Sequence, residues 1–275
     1  MGDSPPIGLI AGAGGLPAEA CSRLRACDVE VCVFAFDGIT DSFLPSEPLV
    51  RTRLGELVRL RDALRERSIA RVLIVGKFDR ALLAEAGGRL SPDAEALSLM
   101  QKILGQPDEP LMTAVADWLA DQGFELARQD ALLSDMLAKR GLVSRTPPTV
   151  LVQRDLEVGI AAVRELDPLG AAQAVAVKDG IVVAVESIGT DELIHRAGEI
   201  AGEGLSLVKG ARRGQDRRLD LPAVGANTID ALASVKGAAL SIEADSTLIV
   251  SAEAFLRKAD EAGISVSSWT RRDGV

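Results

Sequence analysis

A short apolar run from Ile7 to Ala11 stops at Gly12-Ala13-Gly14-Gly15 and passes directly into the helical spacing of Leu16 to Ala26. A strand that turns on glycine into a helix commits the chain to a crossover, so the next strand runs parallel to the first. Val29 to Phe36 predicts that second strand, Leu54 to Arg67 an amphipathic helix, and Arg71 to Val75 a third strand opening onto Gly76-Lys77. The alternation predicts a Rossmann-like parallel sheet covered by helices.

Beyond Pro92 the spacing turns helical, with helices expected at Asp93 to Leu104, Leu111 to Gln122 and Ala131 to Lys139. Thr146-Pro147-Pro148-Thr149 interrupts them, and consecutive prolines are stiff and extended. Residues 1–145 therefore read as a first domain, 146–152 as a linker and 153–275 as a second domain. The second half opens on a helix from Asp155 to Leu166. Gln173 to Lys178 and Ile181 to Glu186 follow, joined by Asp179-Gly180, a pair that accepts the positive φ of a tight hairpin. A helix is expected after Thr190-Asp191, a strand over Leu205 to Val208, and a helix capped by Asn227 or Thr228. Leu240 to Glu243, Leu248 to Val250, Ala252 to Ala262 and Ile264 to Ser267 then alternate strand and helix. The fold class is α/β: an N-terminal Rossmann-like parallel-sheet domain, then a C-terminal α/β domain with a mixed sheet.

Charge and rare residues narrow the chemistry. A net charge of −9 opposes general attraction to nucleic acid, which needs clustered cations. The single histidine, His195, and the absence of tyrosine exclude a multi-histidine metal site and a tyrosine-based reductase. Any metal should be a hard cation such as Mg²⁺ on carboxylate and phosphate oxygens. Cys21, Cys27 and Cys32 have neither redox-pair nor zinc spacing and read as thiols of a reducing cytoplasm. Met1-Gly2-Asp3-Ser4 lacks a basic leader region, and no apolar stretch is long enough to span a bilayer, so the cytoplasm is the expected location.

Four clusters could carry chemistry. The turn at Gly12, Gly14 and Gly15, followed by Leu16 and Pro17, offers backbone N–H groups to a phosphate. Pro17 replaces the third glycine of a dinucleotide fingerprint, for which Asp37 would be the ribose-binding acid. Gly76, Lys77 and Arg80 end a strand, where open α/β sheets bind ligands. Glu186 and Gly189-Thr190-Asp191 bracket a turn into a helix, and Asp191 reads equally as its cap. The strongest segment runs from Lys209 to Pro222. Its first ten residues hold five cations and one acid, a local reversal of the chain's charge. Asp220, held between Leu219 and Leu221 beside those cations, should stay ionised and either hold Mg²⁺ or orient a water.

Taken together these residues resemble the two-domain UDP-2,3-diacylglucosamine pyrophosphatases of lipid A biosynthesis, the type without a metallophosphoesterase fold. The likeness runs over Ile7–Gly12 with Gly15-Leu16-Pro17, then Gly76-Lys77 with Arg80, Gln173, Gly189-Thr190-Asp191, Val208-Lys209 and Gln215–Pro222, and on to Gly225 and Thr228. It implies Mg²⁺-assisted attack of water on the β-phosphorus, releasing UMP and 2,3-diacylglucosamine 1-phosphate (lipid X). It also implies a catalytic aspartate in the second domain, which maps to Asp220, with Lys209, Gln215 and Arg218 beside it. Substrate-binding roles fall to Gly12, Gly14, Gly15, Leu16, Pro17, Gly76, Lys77, Arg80, Gln173, Gly189, Thr190, Asp191 and Arg217, and metal-binding roles to Asp220 and Asp191. The partner implied is a nucleotide-sugar lipid; peripheral contact with the inner face of the inner membrane and a homodimer are compatible with it. Gln106-Pro107-Asp108 and Ala226-Asn227 depart from the family pattern. A nucleotide-dependent oxidoreductase and a non-catalytic nucleotide-sugar-binding regulatory module are the competing readings.

Overall fold

The structure, a computed structural model, describes residues 5–40, 48–78, 92–104, 111–169, 172–186 and 189–271. The chain forms two compact units. The first is Met1–Ser134 together with Asp216–Asp220, and the second is Asp135–Gln215 with Leu221–Val275.

In the first unit, β1 (Ile7–Ala11), β2 (Val31–Phe36), β3 (Leu49–Thr52), β4 (Arg71–Val75) and β5 (Glu125–Leu126) form one sheet in the order β3-β2-β1-β4-β5. Every pairing is parallel, as the glycine turn and crossover helix predict. β1 and β2 are buried at every position, the mark of a sheet covered on both faces. The helices are α1 (Leu16–Ala26), α2 (Leu57–Glu66), α3 (Ala94–Leu104), α4 (Leu111–Asp121) and the short α5 (Gln129–Leu132). Leu60, Ala63 and Leu64 of α2 and Ala116 and Leu119 of α4 close one face over Ile10, Phe34 and Ile74.

The helix expected over Ala131 to Lys139 does not form. The chain instead makes α5 and a 3₁₀ turn at Ser134–Met136. It then bridges Leu137 to Leu248 and donates Ala138 N to Thr247 O at 2.8 Å. Residues 135–145 thus pack within the second unit, and the unit boundary lies upstream of the prolines. Residues 150–152, read as linker, form the first turn of α6 (Val150–Leu166), whose N-cap Thr149 accepts from Val152 N.

The second unit contains β6 (Ala174–Lys178), β7 (Ile181–Val185), α7 (Thr190–Ala201), β8 (Ser206–Lys209), β9 (Ala223–Val224), α8 (Ala226–Ser234), β10 (Ala239–Glu243), β11 (Leu248–Ile249), α9 (Ala252–Glu261) and β12 (Ser265–Trp269). Its main sheet runs β12-β10-β8-β6-β7, parallel from β12 to β8 and antiparallel through β6 and β7. Asp179 and Gly180 both take positive φ, and the buried Asp155 carboxylate accepts from both of their amides, closing the predicted hairpin. Alternate strand residues point to opposite cores: Ala174, Ala176 and Leu207 toward α7, α8 and α9, and Val175, Val177 and Val208 toward α6. Among the described residues no helix is long and apolar enough to cross a membrane.

Candidate functional site

Two of the sequence-selected turns meet in the first unit. Ala13 N donates to Lys77 O at 3.0 Å and Lys77 N to Ala13 O at 2.9 Å, stitching the loops after β1 and β4 side by side. The approach needs glycine. A Cβ on Gly12 would lie 2.6 Å from Lys77 O and 2.7 Å from the Phe78 ring. Gly76 has φ +98° and its Cβ would strike Gly12. This is the carboxyl edge of the two central strands, where the strand order turns back and open sheets bind ligands. Gly14 and Gly15 are exposed, and no side chain caps α1, whose N1 and N2 residues are Leu16 and the buried Pro17. Its first N–H groups can therefore meet an anion. Lys77 is exposed at the same edge. Gly12→Ala is expected to destabilise the first unit by about 1–3 kcal/mol, since backbone has to yield. Urea unfolding checks this; an unchanged midpoint would mean that the two turns separate freely.

Asp220 belongs by sequence to the second half, but its five-residue segment is built into the first unit. Leu219 is buried in the core beside Ile10, Phe36 and Ile74. Asp216 O accepts from Leu219 N at 3.0 Å and from Asp220 N at 3.1 Å, so the segment makes one tight turn and leaves Asp220 exposed. Its two arginines are already engaged. Arg218 grips Asp216 through Nε (2.9 and 3.0 Å) and Nη2 (2.6 Å), holding the Asp216 carboxyl below the usual carboxylate range. Arg217 Nη1 donates to Asp130 at 2.8 Å, and Arg128 grips the same carboxylate. These hydrogen bonds, with Arg128 foremost, bring Asp130 from its ordinary 3.8 down to about 2. A depressed folded pKa gives stability that is complete above about pH 4 and lost as pH falls toward 2. Unfolding free energy followed from pH 5 to 2 should therefore drop in wild type and lack that component in Asp130→Asn; parallel curves would refute the assignment.

The second unit gathers the other predicted residues into two groups. Lys209, 7% exposed at the end of β8, donates through Nζ to Thr190 Oγ1 at 2.7 Å and to Ala223 O at 3.3 Å. Thr190 Oγ1 donates in turn to Glu186 at 2.7 Å. Gln173, with its amide oriented by the surrounding donors, accepts from Arg212 at 3.0 and 3.2 Å and from Gln215 Nε2 at 3.0 Å, and Gln215 Oε1 accepts from Arg212 N. Gln173 and Gln215, 42 positions apart by number, thus both bond Arg212, Gln173 through the guanidinium and Gln215 through the backbone amide. Asp191 is exposed in the first turn of α7. It is not the cap, a position taken by Gly189; an acid there still favours the positive end of the helix. Likewise Gly225, not Asn227 or Thr228, caps α8, and Thr228 Oγ1 accepts from Gly225 N at 3.4 Å.

Sequence reasoning missed the acids beneath the basic loop. Asp167 and Glu243 are buried. Glu243 accepts from Ala211 N at 2.8 Å and from Arg271 Nε and Nη2 at 2.9 Å each; Asp167 accepts from Arg213 N and from Arg271. Trp269 Nε1 donates to Lys209 O, and a Cβ on Gly210 would lie 2.7 Å from the Trp269 ring. The one available signal was positional, because Glu243 and Trp269 end adjacent parallel strands. The competing ribose role for Asp37 finds the carboxylate exposed and 3.7 Å from Arg51. Arg80 and Gln106-Pro107-Asp108 lie outside the described residues.

No three His, Cys, Asp or Glu side chains converge as a metal cage among the described residues. Asp220 and Asp191 are instead single exposed carboxylates. Mg²⁺ is commonly held by one or two carboxylates, waters and substrate phosphates, so this donor chemistry fits an ion that arrives with a diphosphate.

Comparison with known proteins fits both units. The LpxI N-terminal domain family matches residues 6–136 and the LpxI C-terminal domain family residues 139–267. The UDP-2,3-diacylglucosamine pyrophosphatase LpxI of Caulobacter vibrioides is 29% identical over 272 residues, spanning 94% of this chain and 96% of that protein. With both domains matched in order, the chain belongs to the LpxI family.

Proposed function

We propose that the chain hydrolyses the diphosphate of UDP-2,3-diacylglucosamine to UMP and lipid X in lipid A biosynthesis. The observation that carries the reading is the likeness to the Caulobacter pyrophosphatase over nearly the whole of both chains. Asp220, exposed on a segment anchored through Leu219, supports it as the group that acts on water.

In the proposed reaction water adds to the β-phosphorus, the bridging P–O bond breaks, and UMP leaves with the bridging oxygen. Asp220 orients that water and takes its proton. The exposed Lys77 and the uncapped start of α1 hold phosphate charge in the first unit. In the second unit Lys209 with Thr190, and Gln173 with Gln215, are assigned to the substrate's polar groups. Arg217 and Arg218 bring less free charge than their number suggests, because Asp130 and Asp216 pair with them. Mg²⁺, when bound, would neutralise phosphate oxygens, with Asp220 or Asp191 as the carboxylate that holds it.

The test is incubation with UDP-2,3-diacylglucosamine and Mg²⁺ in ¹⁸O-water. UMP should appear and the label should enter the phosphate of lipid X. Failure to release UMP rejects the activity, and label in UMP rejects attack at the β-phosphorus.

A further inference from the structure

We propose that Gln129 is the positioning residue of this site, its carboxamide setting where Asp220 stands relative to the end of β4. The proposal rests on the hydrolase reading. Gln129 is 2% exposed at the start of α5. Its Nε2 donates to Ile74 O at 2.7 Å and to Leu219 O at 3.0 Å, and its backbone N donates to Arg217 O at 2.8 Å. One side chain therefore ties a central strand to the residue just before Asp220, while its main chain ties the residue two earlier.

The amide is well suited to this task. Its nitrogen carries two N–H donors, one for each carbonyl. Leu219 and Ile74 lie in the same apolar cluster, where an unmade hydrogen bond is most costly. β4 pairs with β1 along its full length, which makes it a rigid reference for a group whose placement matters to a fraction of an ångström. The neighbouring Asp130 holds Arg217 through its side chain, but that guanidinium is 40% exposed and the grip is correspondingly softer. Gln129 has no part in bond making; it acts through Asp220.

Gln129→Met keeps the size and removes both donors. It should lower kcat for UMP release by about 10–100-fold, the usual effect of a displaced catalytic group, and leave KM within about twofold. In Gln129→Glu the side chain donates only when protonated, so its activity relative to wild type should rise as pH falls. Wild-type kcat in Gln129→Met, or a loss confined to KM, overturns the proposal. Should Gln129→Met fold poorly, a pH-independent ratio for Gln129→Glu overturns it instead. The hydrolase reading fails separately, in a wild-type protein that releases no UMP before any variant is made.

Discussion

Asp220→Asn should reduce UMP release by about 10²–10⁴-fold, the range lost with a general base. The variant keeps the size of the side chain and removes its charge. Stability should change little, because Asp220 is exposed and its segment is held by other atoms: Leu219 in the core and main-chain bonds to Asp216. Substitutions of this kind usually stay within about 0.5 kcal/mol. Substrate affinity, read by titration of the inactive variant, should persist, because only one exposed side chain is altered. A variant that turns over at more than half the wild-type rate would remove Asp220 from the chemistry. One that loses both activity and its folding transition would make the residue structural.

Arg271→Met should cost the second unit about 3 kcal/mol or more. Asp167 and Glu243 have side chains only 1% and 5% exposed, and Arg271 donates to both and to Ala211 O. Removing the cation leaves the two buried carboxylates with the exposed Arg213 beside Asp167 as a weaker counter-charge. The loss should show as a lower denaturation midpoint, and pairing Arg271→Met with Glu243→Gln should recover part of it. The same cluster supports the base of the 210–215 loop through Ala211 N and Arg213 N, so UMP release should weaken as well. A variant as stable as wild type would show that solvent, not Arg271, balances these acids.

What could be read from local sequence followed local rules. The glycine turn into α1 predicted a parallel sheet, and Asp179-Gly180 predicted the hairpin, because positive φ is a property of the residue itself. The failures arose where distant partners intervened. Ala131 to Lys139 has helical spacing, but Leu137 and Ala138 find strand-like partners in Leu248 and Thr247. β3, β5 and β9 were missed because two to four residues carry too little periodicity to register.

The candidate site divides in the same way. The residues that the sequence singles out in the second unit, Lys209, Thr190, Gln173 and Gln215, stand there as two hydrogen-bonded groups. The neutralisation of the neighbouring arginines was not legible, since the acids that offset them come from position 130 and position 167 as well as from Asp216.

Sequence alone determined the two α/β sheets and the glycines at the turns, which depend on near neighbours. Tertiary structure decided that Asp216–Asp220 folds with the first unit although the second surrounds it in sequence. The reason is burial: Leu219 enters an apolar cluster of the first unit, and its carbonyl finds Gln129 at the start of α5, 90 residues away, in a unit whose strands all precede position 216.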